Sequence, residues 1–285
     1  MPAGSHHFQV GEISCTVLTD GYAAYPTGWF FPDADPGRLG DGLHSYGSPA
    51  EHVLSPYSCL LIETGRRVIL ADAGAGPAVT TSGAIAARLE MAGIRPKDVD
   101  TVVLSHAHPD HIGGAVDAHG RPAFPNACHV IAEREREFWM RSRNDLSGMR
   151  LPDEIKCSIQ AGARRCLAAL HFRLETIERE TEIAPGVIAI PAPGHTPGHL
   201  ALLIASGGQK LLNLGDAALH PLHLKEPDWR SGFDLAADCA LDTRRSLLER
   251  AAAENMHVMA FHFPFPSLGR IAARQQGGWE WFPGW

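Results

Sequence analysis

Within six positions the chain places three imidazoles and a carboxylate, His106-Ala107-His108-Pro109-Asp110-His111, between the apolar run Thr101-Val102-Val103-Leu104 and the turn Ile112-Gly113-Gly114. No other stretch limits the fold so sharply. If the run is a strand, the histidines begin at its C-terminal end, and His106 and His108, two apart, share a face. The paired glycines would let the backbone turn tightly behind them. Imidazole nitrogen suits zinc, iron, nickel and cobalt, whereas carboxylate suits harder cations, so the mixture points to transition metals. One ion would be gripped by His106 and His108, and a second by Asp110 and His111. A solvated polar turn that happens to be rich in histidine is the plainer reading, and residues far downstream weigh against it.

Those residues arrive in three pieces. Pro193-Gly194-His195-Thr196-Pro197-Gly198-His199 follows the apolar run Val187 to Ile190; Leu211 to Asp216 reads as a strand with a carboxylate at its tip; His257 to His262 reads as another, ending in a histidine. Singly, each is an ordinary turn or half-buried strand residue. Jointly they all lie at or just past the C-terminal end of a β-run, where open α/β sheets place their sites. No G-x-S-x-G elbow presents a serine, and the cysteines lack a motif.

In this order the ligand pattern resembles that of the metallo-β-lactamase-fold hydrolases, over nearly the whole chain from Val10 to His262 and beyond. The resemblance implies an α/β fold of the four-layered αββα sandwich type. It implies one metal on His106, His108 and His195, a second on Asp110, His111 and His262, and Asp216 bridging both beside a bridging hydroxide. Two divalent ions are implied, zinc first, with manganese, cobalt or iron as alternatives. Asp72, at the end of its own strand, resembles the family's aspartate that orients a ligand imidazole; capping the following turn is its other reading. Asp110 would add a proton-shuttling role to its ligand role. Lactone-opening relatives carry a tyrosine shortly after the bridging aspartate. This chain reads Asp216-Ala217-Ala218-Leu219-His220, so His220 would take over the polarising task or else be a loop residue. His199 is expected to complete the turn after Gly198.

The ending Phe261 to Gly269, with Trp229 and Phe233-Asp234 upstream, resembles the branch that holds methyl parathion hydrolase and acyl-homoserine-lactone lactonases. That implies a small-molecule ester or lactone substrate. Phosphotriester cleavage and glyoxalase-type thioesterase activity stand as alternatives, and a mononuclear iron oxidoreductase is a more distant one. Phe263, Phe265 and the cluster Trp29-Phe30-Phe31 would line an apolar cavity for an organic tail; a dimer contact is the rival explanation for the cluster.

The rest of the chain bounds these readings. A length of 285 residues at 45% hydrophobic composition suits one domain, 1–285, with an N-terminal loop extension over about 21–57 beside the site. A formal charge of −7 and no basic cluster argue against nucleic acid. No apolar run approaches the roughly 20 residues that cross a bilayer, and the N-terminus has no apolar core of a secretory signal. Six scattered cysteines suit free thiols in a reducing cytoplasm. A strand is expected over Gln9–Thr19, a hairpin over 58–72, and helices over 78–92, 133–143, 158–170 and 238–254. The stretch 143–156 is expected to be a solvated connection.

Overall fold

A computed structural model describes residues 4–78 and 80–285. Two seven-stranded sheets carry the fold. The first runs β1 (Ser5–Val10), β2 (Ile13–Pro26), β3 (His52–Thr64), β4 (Arg67–Ala71), β5 (Thr101–Val103), β6 (Cys128–Ala132) and β7 (Leu174–Ile177), in that spatial order. The second is ordered the same way: β8 (Thr181–Ala184), β9 (Val187–Pro191), β10 (Leu200–Ser206), β11 (Gln209–Asn213), β12 (His257–Met259), β13 (Leu268–Ala273) and β14 (Trp279–Pro283). The strands are connected through the helices α1 (Thr27–Phe30), α2 (Pro36–Ser45), α3 (Ile85–Met91), α4 (Pro109–Ile112), α5 (Glu133–Met140), α6 (Asp153–Leu170), α7 (Leu222–Lys225) and α8 (Ala237–Ala253).

Side-chain alternation along the strands sorts the apolar residues into layers. Val17, Leu60, Ile69 and Val103 of the first sheet meet Ala189, Leu202, Leu211 and Met259 of the second in an inner core. The outer face of the first sheet, with Leu61, Leu70 and Val102, is covered by α3 and α6 through Leu89, Ala163 and Leu167. The outer face of the second, with Leu203, Leu212 and Val258, is covered by Leu248 and Ala251 of α8. The order helix, sheet, sheet, helix is the expected αββα arrangement. Among the described residues, no helix is long and apolar enough to cross a membrane.

Several local expectations need correcting. The opening strand is a hairpin, because Gly11 adopts φ +58 and Val10 pairs with Ile13. The segment 21–57 is not one loop. Residues 21–26 and 52–57 pair as the outer part of β2 and β3, and α1 and α2 lie between them. The helix expected over 78–92 begins only at Ile85; that range includes residue 79, which lies outside the described residues. Its start is fixed in trans: the buried Asp20 carboxylate accepts the N–H groups of Gly76, Gly83 and Ile85. Its end follows the sequence, with Gly93 at φ +87. The connection 143–156 is mostly exposed, as expected, but it is anchored by the buried Met149 and Leu151, and α6 already starts within it at Asp153.

Candidate metal centre and its cavity

Five strand ends converge on one point. The segment after β4 brings Asp72, that after β5 brings His106, His108, Asp110 and His111, that after β9 brings His195, that after β11 brings Asp216, and that after β12 brings His262. Strands β4 and β5, and β11 and β12, run parallel, so their carboxyl ends open on the same side. The glycines after His111 serve close approach, not the turn. Gly113 has an ordinary helical φ of −59, but a Cβ there would stand 2.4 Å from Ala75 O, and one on Gly114 2.0 Å from Ala73 O. The imidazole loop is thereby pressed against the residues that follow Asp72.

Asp216 sits at the middle. Its carboxylate oxygens lie 3.3 Å from Nε2 of His111, His195 and His262, and 3.9 Å from Nε2 of His106. His108 Nδ1 lies 3.1 Å from His195 Nε2, and Asp110 Oδ2 lies 3.4 Å from His262 Nε2. Three overlapping sets have ligand atoms within 4.8 Å of one another: His106, His108 and His195; His106, His111 and Asp216; Asp110, His111 and His262. The structure thus brings together all seven residues named from the sequence as ligands.

What holds these rings in place is a layer of acceptors, and most of it carries no sequence signal. Asp72 accepts from His111 Nδ1 at 2.8 Å and from the Ser105 N–H and hydroxyl, each at 2.8 Å. It does so with φ +58, a conformation costly for a residue with a side chain and found where a site over-determines it. Asp234 accepts from His195 Nδ1 at 2.9 Å. Ser55 Oγ and Pro56 O lie 2.8 and 3.1 Å from His262 Nδ1. In each case the outer nitrogen is engaged by its acceptor, so the inner Nε2 is the nitrogen turned toward the centre. His199 turns its own pair the other way: Nδ1 donates to Ala192 O at 3.0 Å and Nε2 accepts the Asp216 N–H at 2.9 Å. It supports the central aspartate's backbone rather than merely completing a turn. The buried Glu135 accepts the N–H groups of Ala107 and Gly198 and the Trp139 indole N–H, at 3.0, 2.9 and 2.7 Å. One carboxylate so joins the loop of His106 and His108 to the loop of His195.

The donor set fits divalent cations. His106 Nε2, His111 Nε2 and Asp216 Oδ1 are buried without a hydrogen-bond partner, and all point to the centre. Such groups are costly to bury unless something is bound between them. Burial, followed by the neighbouring imidazoles, holds His106 and His108 well below the ordinary histidine range, so both are neutral as ligands must be. His111 moves the other way: burial opposes its charge, but Asp216, Asp72 and Asp110 outweigh burial and draw a proton onto it. A knot of buried carboxylates that attracts a proton in the absence of metal would attract a divalent ion more strongly.

Above this floor opens a cavity of about 280 Å³. Asp110, Asp216, His108 and His262 form its polar end. Tyr25, Trp29, Phe30, Tyr57 and Phe233 form an aromatic wall, and Pro109, Ile155, Ile159 and Leu219 an aliphatic one. Of the pocket residues expected from sequence, Trp29 and Phe30 line it. Phe31 does not; its ring packs against His223 and Trp229, with centroids 4.6 and 5.7 Å away. Phe263 turns from His262 into the core behind the second sheet, 5.2 Å from Trp281, and Phe265 lies on the surface. His220 also stays outside the lining. Its ring is enclosed by Phe31 and Tyr46, its Nδ1 accepts the Leu222 N–H at 3.2 Å, and burial pushes its pKa down to about 3. It is therefore a neutral wall support, and the polarising role expected for it has no geometric basis. Tyr25, Tyr57, Phe233, Leu219 and the first turns of α6 were not foreseen.

The model of the Metallo-beta-lactamase superfamily matches residues 53–256. Among curated relatives, an N-acyl homoserine lactonase of Bacillus sp. is 28% identical over 242 residues, covering 77% of this chain and 86% of that protein. Among solved structures, AidC, described as a dizinc quorum-quenching lactonase, superposes with a TM-score of 0.93 at 29% identity, covering 99% of this chain and 98% of that one. The hydrolase AbOPH superposes with a TM-score of 0.89 at 25% identity, covering 100% and 99%.

Proposed function

The chain belongs to the metallo-beta-lactamase superfamily, and from that premise we propose that this metal-dependent hydrolase opens lactone rings, with N-acyl homoserine lactones as the substrate class. The carrying observation is the junction, in one cavity of about 280 Å³, of a cation-demanding floor and an aromatic and aliphatic wall. An acyl lactone has the same division, a reactive carbonyl joined to an apolar tail. The volume lies near the lower end of the roughly 300–1,000 Å³ common for small-molecule sites, which suits a short or medium tail. The names of the relatives support the same reading.

His106, His108 and His195 would hold one ion and Asp110, His111 and His262 the other, with Asp216 reaching both; zinc is the proposed metal, in keeping with the imidazole-rich set and the dizinc relative. Bound there, divalent ions supply Lewis acidity and bring the ionisation of a water near neutral pH. The chain's residues supply the rest. Asp72, Asp234 and Ser55 keep the imidazole lone pairs turned inward. Asp110, which lines the cavity's polar end, would take the proton lost by the attacking water and pass it to the ring oxygen as the carbon–oxygen bond breaks. The atoms then balance: the carbonyl carbon gains a hydroxyl, the ring oxygen gains a proton, and a hydroxy acid leaves. Phe30, Trp29 and Phe233 cover the tail.

The test is a panel assayed with metal-reconstituted protein: homoserine lactones of graded acyl length, an aryl ester, a glutathione thioester and a phosphotriester. Lactones should give the highest kcat/KM. Preferred turnover of the phosphotriester or thioester, with lactones untouched, would overturn the assignment.

A further inference from the structure

Two phenols face the polar end of the cavity with only each other as hydrogen-bond partners. Tyr25 Oη and Tyr57 Oη are 2.6 Å apart, and no other acceptor among the described residues meets either hydroxyl. Two hydroxyls carry two protons, and a single shared bond consumes one. The second proton is left facing a space lined by Asp110, Asp216 and His262. Tyr57 also lines the cavity, but it is fully buried and held between Phe261 and His262, with centroids 6.0 and 5.8 Å away, which makes it the deeper of the two phenols. Tyr25 is half-buried, and Phe30 and Phe233 pin its ring at 5.7 and 5.8 Å. The free proton accordingly belongs to Tyr25.

We propose that Tyr25 is a catalytic residue that donates its phenolic O–H to the lactone carbonyl oxygen as negative charge develops there, with Tyr57 donating to Tyr25 from behind. The inference rests on the lactonase reading above. A fixed donor in a dry, low-dielectric pocket stabilises a developing oxyanion without the reorganisation that water would need. A second hydroxyl donating to the first polarises it and strengthens its outward bond. No proton leaves either tyrosine during the reaction.

Tyr25→Phe, Tyr57→Phe and the double variant, each metal-loaded, separate this role from a structural one. Tyr25→Phe should lower kcat on a hexanoyl lactone by about 100-fold while two metals per chain and KM are kept. Tyr57→Phe should cost roughly 2- to 5-fold, because Tyr25 keeps its proton but loses its support. The double variant should match Tyr25→Phe alone. Infrared spectra of a bound, unhydrolysed γ-lactam analogue provide a readout independent of turnover: its ring carbonyl stretch should move to lower frequency in the parent and relax in Tyr25→Phe. An active parent whose Tyr25→Phe variant keeps kcat within twofold, or shows the same carbonyl stretch, overturns this inference and leaves the lactonase reading standing. Metal loss in step with activity would show that the phenol serves the carboxylates instead, and also overturns it. A parent that neither opens lactones nor shifts the lactam carbonyl removes both.

Discussion

The metal cradle and the cavity wall meet at Asp110 and Asp216, yet they are built on opposite principles. In the cradle directional hydrogen bonds hold the groups that face the centre: Asp72 holds His111, Asp234 holds His195, Ser55 holds His262, and His199 holds the Asp216 backbone. The wall is held by ring contacts at 5.7 to 6.3 Å among Tyr25, Trp29, Phe30 and Phe233, which individually contribute little and lack fixed directionality. A misplaced hydrogen bond in the first region leaves a buried lone pair idle, whereas a lost ring in the second changes a shape. Damage to the cradle should therefore abolish chemistry, and damage to the wall should alter choice.

The largest effect tests the first half of that contrast. Asp216→Ala should loosen both ions, because one carboxylate faces imidazoles of both sets, and His106→Ala should strip one. Loss of the several kcal/mol that metal polarisation supplies corresponds to a fall in kcat/KM of about 10³-fold or more. Elemental analysis alongside kinetics checks both, and retention of metal with near-parental activity would break the assignment. A smaller effect is expected one layer out. Asp234→Asn keeps the shape but weakens the grip on His195 Nδ1, and metal affinity should drop about 10- to 100-fold in a chelator competition. Trp29→Ala should leave that competition unchanged.

The two regions also differ in how far they could be read from sequence. The cradle was legible because its ligands sit in short motifs at strand ends, where backbone direction alone sends them to one side of the sheets. Its supports were mostly silent: Asp234 is a single polar residue in a loop, Ser55 a single polar residue in β3, and Glu135 looks like any acid in the first turn of a charged helix. The wall was harder still. Trp29 and Phe30 line the cavity while Phe31 does not, a distinction made where the four-residue α1 ends and Phe31, its C-cap, leaves the helical conformation at φ −138. Phe263 reads like a pocket aromatic beside His262, but its side of the turn belongs to the outer core. Tyr25 and Tyr57 meet only because β2 and β3 run on beyond the sheet, where composition suggested a loop.

The second half of the contrast predicts altered selectivity. Trp29→Ala or Phe233→Ala should change the ratio of kcat/KM between short and long acyl chains by roughly 10-fold, the scale of one or two methylene contacts, with metal content unchanged. An unchanged chain-length profile would remove the wall from substrate recognition.

The smallest effect concerns a histidine that belongs to the wall and not to the cradle. His220 is enclosed by Phe31 and Tyr46 with its pKa pushed down to about 3 by burial, against an ordinary value of 6.5. The unfolded chain takes up a proton at this ring as pH falls below about 6.5, while the folded chain refuses it until far lower. Its contribution is thus fully present above pH 6.5 and is lost as pH falls toward 3. Between pH 7 and 5 the cost is roughly 2 kcal/mol, from about 1.4 kcal/mol per proton and pH unit. Urea unfolding of the chelated protein at pH 7, 6 and 5 measures it. His220→Gln has no proton to refuse and can still accept the Leu222 N–H, so its stability should decline less steeply across that window. Parallel declines in parent and variant would mean that His220 becomes charged in the folded protein, and that this part of the wall is open to water.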